Sequence, residues 1–295
     1  MFDGSVRIIC IRNIIMTNKR RILLSGCSKD SPYEQAPNVE PEVVEAYEAL
    51  NVSYGPDENQ VFDIYLPENR TNATKIIILI HGGSWVSGDK SDMDTIKAFI
   101  STLHPDVGII NMNYTLAGIN NPPVPMQTDD ISSVVDYISS NKSSLIVSDD
   151  IGFIGVSAGA HLSLLWSYAY DTNNQVDMVC SIVGQVNFTD PAYYNNPIYQ
   201  PVYQLFGNLS IEFLESASPY HRATTTSPPT QLFYGGMDPL VPTSQGVDMD
   251  AQLTTLGVTY EFHFYPDEGH GWEGANLIDT TTKISSYIET YIETE

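Results

Sequence analysis

The feature that most restricts the fold of this chain is a rhythm of short apolar runs set between longer amphipathic stretches. Lys75-Ile-Ile-Ile-Leu-Ile80 holds no polar residue after its lysine, and similar runs recur at 107–113, 151–155, 178–183 and 231–234. Runs of this length and composition suit strands buried on both faces. Val61–Leu66 instead alternates apolar with polar positions, and Thr259–Tyr265 reads as a further strand. Between the runs, Pro125–Ser140 puts Ile131, Val134, Val135 and Ile138 on one helical face. Ala158–Tyr170, Thr243–Leu256 and Ala275–Glu293 read as helices too. Strands alternating with helices predict an α/β fold whose mostly parallel sheet is covered on both faces. There is no internal repeat, and no G-x-G-x-x-G follows the first strand.

The chain has 295 residues, enough for one large α/β domain, which we expect over 46–295. Its texture changes over about 185–229, rich in Tyr, Asn, Pro and Thr and weakly periodic, which reads as a cap inserted at one end of the sheet. No run approaches the ~18 uninterrupted apolar residues of a membrane-spanning helix. The formal net charge is −23, and it is unevenly spread. Residues 1–29 hold six of the thirteen basic residues and a single acid, leaving seven bases against 35 acids in the remainder. Such a body repels nucleic acid and anionic membranes, and it suits a solvated acidic surface better than a patch for a cationic partner. Cys180 falls inside an apolar run, which predicts a buried, inert thiol. No paired-cysteine metal motif and no disulfide framework is present.

The first 45 residues read as a leader or tether. Leu23-Leu24-Ser25-Gly26-Cys27 resembles the end of a bacterial lipoprotein signal, in which the cysteine is acylated. Its apolar stretch, Ile22–Gly26, is shorter than the ~7–15 residues of a signal core. Lipidated Cys27 would put the protein outside the cytoplasm, anchored in a bacterial envelope and touching membrane only there. The alternative is a leader with no address and a cytoplasmic protein.

Gly155-Val-Ser-Ala-Gly159 sits between the strand at 151–155 and the helix from Ala158. A serine at such a bend is exposed at the carboxyl end of a strand, with small residues letting the helix pack close. The helix N-terminus there favours developing negative charge. A serine hydroxyl needs a base, and His270 has the best setting of the six histidines, in the loop Pro266-Asp-Glu-Gly-His-Gly-Trp272. His161 lies one turn after Ser157 and is expected to support packing; structural roles are expected for His104, His221 and His263. The base needs an orienting carboxylate. Asp238, in a Pro-stiffened loop after the strand at 231–234, is favoured over Asp190, Asp267 and Glu268. Finally, His81-Gly-Gly-Ser-Trp85 follows the buried strand at 75–80 and could offer backbone donors to an oxyanion. The candidates are the N–H groups of Gly83, Ser84 and Ala158, with His81 as a buttress and Trp85 as a wall of the acyl pocket.

Taken together, "HGGSW", "NMNYTLAG", "PMQTDDISSVVDYI", "GVSAGAHLS", "SPYHRATTTSPPTQLFYGGMDPLVP" and "DEGHGW" resemble the esterase branch of the α/β-hydrolase superfamily from about residue 50 onward. The pattern is similar to hormone-sensitive-lipase-like carboxylesterases and bifunctional feruloyl/acetylxylan esterases. The resemblance implies an eight-stranded α/β-hydrolase sheet, Ser157-Asp238-His270 catalysis, and no cofactor or metal. It also implies a substrate that is a small-molecule or polysaccharide ester with a short acyl or carbohydrate-linked group. Two positions depart from the family pattern: Ser84 stands where a third loop glycine is common, and Thr115 where an arginine is. Two other functions stay open, a kynurenine-formamidase-like amidohydrolase and a non-catalytic surface binding protein on the same fold.

Overall fold

A computed structural model describes residues 43–293 of the chain. The expected leader, with Cys27, lies outside the described residues except for its last three positions. Eight strands form one sheet among the described residues: β1 (Tyr47–Ser53), β2 (Val61–Leu66), β3 (Ile76–Ile80), β4 (Gly108–Met112), β5 (Ile151–Val156), β6 (Val176–Ile182), β7 (Thr230–Gly235) and β8 (Tyr260–Tyr265). Their spatial order is β1-β2-β4-β3-β5-β6-β7-β8. β2 runs antiparallel to both of its neighbours, and every other pairing is parallel.

The helices are α1 (Asp94–Leu103), α2 (Pro123–Leu145), α3 (Ala158–Ala169), α4 (Pro191–Tyr194), α5 (Gln200–Phe206), α6 (Ile211–Ser216), α7 (Pro219–Arg222), α8 (Thr243–Leu256) and α9 (Gly274–Tyr291). They divide between the two faces of the sheet, as the continuous apolar runs require. Along β3, Ile76, Ile78 and Ile80 join the core under α2, α3 and α8, while Ile77 and Leu79 join the core under α1 and α9. Successive side chains of a strand point to opposite faces, so a strand covered on both sides has no position left for a polar residue. All five side chains of β3 are completely buried. At about 1.5–3 kcal/mol each, this one strand contributes on the order of 10 kcal/mol of burial. In α2, Ile131, Val134, Val135 and Ile138 form the buried face expected from their spacing. Cys180 is free and fully buried in β6, where burial raises its thiol pKa and keeps it protonated. No helix among the described residues is long and apolar enough to cross a membrane.

β3, β5, β7 and β8 run in one direction, so the segments leaving their carboxyl ends emerge along one edge of the sheet. Those segments are His81–Trp85, Ser157, Asp238 and His270. The short helices α4–α7 all lie between β6 and β7.

Candidate active site

Ser157 links β5 to α3 with φ 54° and ψ −116°, a conformation unusual for a residue with a side chain. The fold can hold it there because the residues two before and two after are glycines. A Cβ at Gly155 would collide with the Gly159 carbonyl, and one at Gly159 with the carbonyls of Ile80 and His81. The tight passage of α3 over β3 and β5 therefore fixes the bend. The Ser157 N–H donates to Ile182 O at 2.8 Å, and its own carbonyl accepts from His161 N at 3.0 Å. Ser157 is 7% exposed.

Three side chains separated by up to 113 positions meet at this bend. His270 Nδ1 lies 2.7 Å from Asp238 Oδ2, and His270 Nε2 lies 2.9 Å from Ser157 Oγ. The other carboxylate oxygen, Asp238 Oδ1, accepts the N–H groups of Leu240 at 2.7 Å and Val241 at 3.0 Å. With that oxygen anchored, the remaining one faces the imidazole. A carboxylate only accepts, so Nδ1 carries the ring proton and Nε2 is free to accept from the serine hydroxyl. The Asp238 side chain is 1% exposed and the His270 ring 23%. Asp190, the competing carboxylate, is engaged elsewhere: it accepts from Ala192 N at the start of α4 and from Gln245 Nε2. Glu268 accepts from Asn276 Nδ2.

The loop after β3 turns through three consecutive residues of positive φ, Gly83 (110°), Ser84 (51°) and Trp85 (65°). Its carbonyls are held on the far side. Tyr114 Oη donates to Gly82 O at 3.0 Å, and His81 Nδ1 donates to the same oxygen at 2.6 Å. Gly83 O accepts from Val86 N and Ser87 N at 3.1 and 3.0 Å. In a planar trans peptide the next N–H points away from the carbonyl. The N–H groups of Gly83 and Ser84 are thus turned from those bonds, and neither they nor Ala158 N donate to any group among the described residues. Ala158 N is at the first turn of α3, where helical N–H groups have no partner within the helix. Gly82 packs directly on Ser157: a Cβ there would lie 3.3 Å from Ser157 Cβ.

His81 and His161 brace this site. Burial lowers the pKa of both, that of His161 to about 4, so both rings are neutral at pH 7. His161 Nδ1 accepts from Trp85 Nε1 at 3.1 Å, and Nε2 donates to Ala217 O at 2.8 Å. The packing role expected for His161 is therefore a three-way tie between α3, the loop after β3 and the α6–α7 junction. His104, His221 and His263 pair with Glu293, Thr189 and Glu261, away from Ser157.

Trp85 corrects the sequence reading. It does not wall a pocket: it is fully buried, packed against Phe188 and Phe206 and tied to His161. The left-handed backbone at Trp85 turns the indole inward, and Val86 takes the place at the cavity wall. That cavity, about 350 Å³, opens over Ser157 and Ser84. Of the aromatic residues of the segment, Tyr193 and Tyr199 line it as a stacked pair, 4.2 Å between centroids. Tyr203 and Phe206 are buried in the core. Gln185, which the sequence reading does not single out, lines the cavity as well. Its place three residues beyond β6, beside the strand that leads to Ser157, is the signal that could have found it.

The family model described as BD-FAE matches residues 62–253. Among curated relatives, the chain is 24% identical over 262 residues to Esterase LipC of Mycobacterium tuberculosis (strain ATCC 25618 / H37Rv), covering 80% of this chain and 64% of that protein. It is 30% identical over 118 residues to the kynurenine formamidase of Salmo salar, covering 39% of this chain and 37% of the relative. The chain thus spans less than two thirds of the length of either. Among solved structures, a truncated carbohydrate esterase from gut microbiota superimposes with a TM-score of 0.67 at 23% identity, covering 82% of this chain and 98% of that one.

Proposed function

The chain belongs to the BD-FAE family and has the α/β-hydrolase fold, and from that premise we propose that it hydrolyses carboxylic esters through an acyl-serine intermediate. The observation that carries this reading is the unbroken hydrogen-bonded relay from Ser157 Oγ through His270 to Asp238. In acylation, His270 Nε2 takes the Ser157 proton while Oγ bonds to the ester carbonyl carbon, and the carbonyl electron pair moves onto its oxygen. The N–H groups of Gly83, Ser84 and Ala158 hold that oxyanion; each such donor is worth roughly 10²–10³ in turnover. Asp238 accepts from His270 Nδ1 and stabilises the imidazolium. On collapse the bond to the alcohol oxygen breaks, and His270 returns its proton to that oxygen. Water then attacks the acyl-serine by the same route, releasing the acid and restoring Ser157.

The test is Ser157→Ala on p-nitrophenyl acetate. A fall of at least about 10³-fold in kcat/KM is expected, and a smaller one removes Ser157 as nucleophile. Fluorophosphonate labelling of the wild type at Ser157 separates this reading from a binding-only role on the same fold.

Short acyl and carbohydrate-linked esters are the proposed substrate class, read out by a panel of acyl chain lengths with acetylated xylan. The stretch shared with a kynurenine formamidase supports a second reading, since the same relay could attack a formamide carbonyl. N-formylkynurenine turned over faster than every ester of the panel would favour it. Acylation of Cys27, and with it an envelope location, rests on the Leu23–Cys27 pattern. Cys27→Ser should move the expressed protein from the membrane to the soluble fraction; no movement rejects the anchor.

A further inference from the structure

We propose, resting on the esterase reading, that Tyr114 is a positioning residue for acyl transfer: its hydroxyl sets the Gly82–Gly83 peptide so that the Gly83 N–H faces the oxyanion. The carbonyl of Gly82 and the N–H of Gly83 are opposite ends of one planar unit, so holding the oxygen aims the hydrogen. The three proposed donors are held in different ways. Ala158 N is fixed in the first turn of α3. The Ser84 N–H shares its plane with Gly83 O, which accepts from Val86 N at 3.1 Å, Ser87 N at 3.0 Å and Ser87 Oγ at 2.9 Å, all within the loop. Gly82 O receives no backbone N–H among the described residues. Only side chains reach it, Tyr114 Oη at 3.0 Å and His81 Nδ1 at 2.6 Å. A peptide between two glycines has no Cβ at either end to resist turning over, and the inverted peptide would present its carbonyl to the oxyanion.

Tyr114 is itself firmly seated. It lies two residues past β4, the strand beside β3, and is buried. Its ring stacks on the His81 imidazole, with centroids 4.2 Å apart and planes 13° apart. Its hydroxyl is 3.1 Å from His81 O as well as 3.0 Å from Gly82 O, so one proton is shared between consecutive carbonyls. His81 belongs to the loop and moves with it, which leaves Tyr114 as the anchor of Gly82 O from outside. The unit it holds touches the nucleophile: a Cβ at Gly82 would lie 3.1 Å from Val156 O and 3.3 Å from Ser157 Cβ. Gln127 supplies a contrast inside the same molecule. Its Nε2 also reaches the loop, donating to Trp85 O at 2.8 Å and to Thr115 O at 2.8 Å. Trp85 O, however, shares its plane with the Val86 N–H, which is spent on Gly83 O. Gln127 therefore supports the loop without aiming an oxyanion donor.

The experiment measures p-nitrophenyl acetate kinetics and inhibition by trifluoromethyl propyl ketone in wild type, Tyr114→Phe and Gln127→Leu. Ser157 Oγ bonds to the ketone carbon, its proton passes to His270, and the carbonyl electron pair moves onto oxygen. The Ki of this tetrahedral adduct reads oxyanion stabilisation without any leaving group. Tyr114→Phe keeps the stacked ring and removes one oxygen. Its kcat should fall about tenfold, less than the ~10²–10³ of a whole donor because His81 still holds the carbonyl. KM should stay within about twofold, since acylation and deacylation use the same donors and slow together. Ki for the ketone should rise by about the same tenfold. Gln127→Leu should lower the melting temperature yet leave kcat and Ki within about threefold. If that variant does not fold, the split between kcat, KM and Ki in Tyr114→Phe decides alone. A Tyr114→Phe enzyme within about twofold of wild type in kcat, a Ki that does not move, or an equal rise in Ki for both variants overturns the proposal. Wild-type turnover would then leave the serine mechanism intact. Absence of both turnover and fluorophosphonate labelling in the wild type would instead remove both readings.

Discussion

Asp238 does more than sit near an imidazole; because a carboxylate only accepts, it decides which tautomer His270 adopts, and the bonds to its second oxygen hold it in place. Asp238→Asn tests this directly. The introduced amide would keep its oxygen on the N–H groups of Leu240 and Val241, since only an oxygen can accept them. Its NH2 would then face His270 Nδ1, forcing the ring proton onto Nε2, where it blocks transfer from Ser157. A loss of about 10³–10⁴ in kcat with little change in KM is expected from steady-state kinetics, and a loss under tenfold would mean the carboxylate does not set the tautomer. The molecule contains a useful contrast. His104 Nε2 lies 2.9 Å from Ser285 Oγ and its Nδ1 2.6 Å from Glu293 Oε1, the same succession of groups. Ser285, however, sits in the body of α9, where neighbouring N–H groups are spent within the helix and none is left for an oxyanion. Fluorophosphonate should therefore label Ser157 and spare Ser285, as read by peptide mass spectrometry, and label on Ser285 would show that the relay alone suffices. At this scale the sequence discloses residues whose local surroundings are distinctive. Ser157 has its flanking glycines, and His270 and Asp238 have loops directly after strands. The direction of the Trp85 indole is not disclosed, because it depends on a left-handed backbone at a non-glycine residue. Gln185 is disclosed only by its place just beyond β6, and that it lines the cavity is seen only in the fold.

Among the elements, α3 is tied to both the loop after β3 and the α6–α7 junction through one neutral ring, His161. Its position makes stability depend on pH in a definite direction. Burial pulls its folded pKa down to about 4, against about 6.5 in an unfolded chain. Between those values the unfolded chain binds a proton that the native state refuses. The contribution is therefore complete above about pH 6.5 and is lost as pH falls toward 4, on the order of 3 kcal/mol over the window. Protonation would also turn Nδ1 from acceptor to donor and break the bond from Trp85. Melting temperature should fall from pH 7 to pH 5 in the wild type. His161→Gln should melt lower at pH 7 but lose less on acidification; an equal slope in the variant would assign the effect to other groups. Some slope remains, because burial depresses His81 in the same sense. The elements legible in the sequence are those with a strong burial period. β3, β4, β5 and β7 are nearly continuous apolar strands, and α2 carries its face at regular spacing. β1 is not legible because it is an edge strand with no buried residue, so nothing forces its sequence to alternate. α1 has Ile96, Phe99, Ile100 and Leu103 at helical spacing, but only Ile100 is buried, and the sequence pattern leaves the element unassigned. The short helices α4–α7 are set by caps and prolines rather than by a repeating face.

Over the whole molecule, the parallel strands carry Ser157, Asp238 and His270 to one edge of a body that holds a large excess of acids over bases. Each of the five lysines among the described residues is already paired with a carboxylate: Lys75 with Asp177, Lys90 with Asp63, Lys97 with Asp94, Lys142 with Asp149 and Lys283 with Asp279. Arg70 is spent on the carbonyls of Glu45, Pro67 and Leu145. These pairs cancel charge locally, and the excess of acids over bases remains as a long-range negative field. Such a field acts on a charged substrate before contact, and salt screens it over about 10 Å at 0.1 M ionic strength. Two esters with the same leaving group separate this effect from events inside the cavity. p-Nitrophenyl hydrogen succinate carries a carboxylate, and p-nitrophenyl butyrate does not. Raising NaCl from about 10 mM to about 300 mM should increase kcat/KM for the succinate several-fold and leave the butyrate within about twofold. Events inside the cavity set the absolute rates, but only repulsion at a distance makes their ratio change with ionic strength. A succinate rate that stays flat or falls with salt would mean that the negative excess lies away from the edge where the three strands deliver the relay.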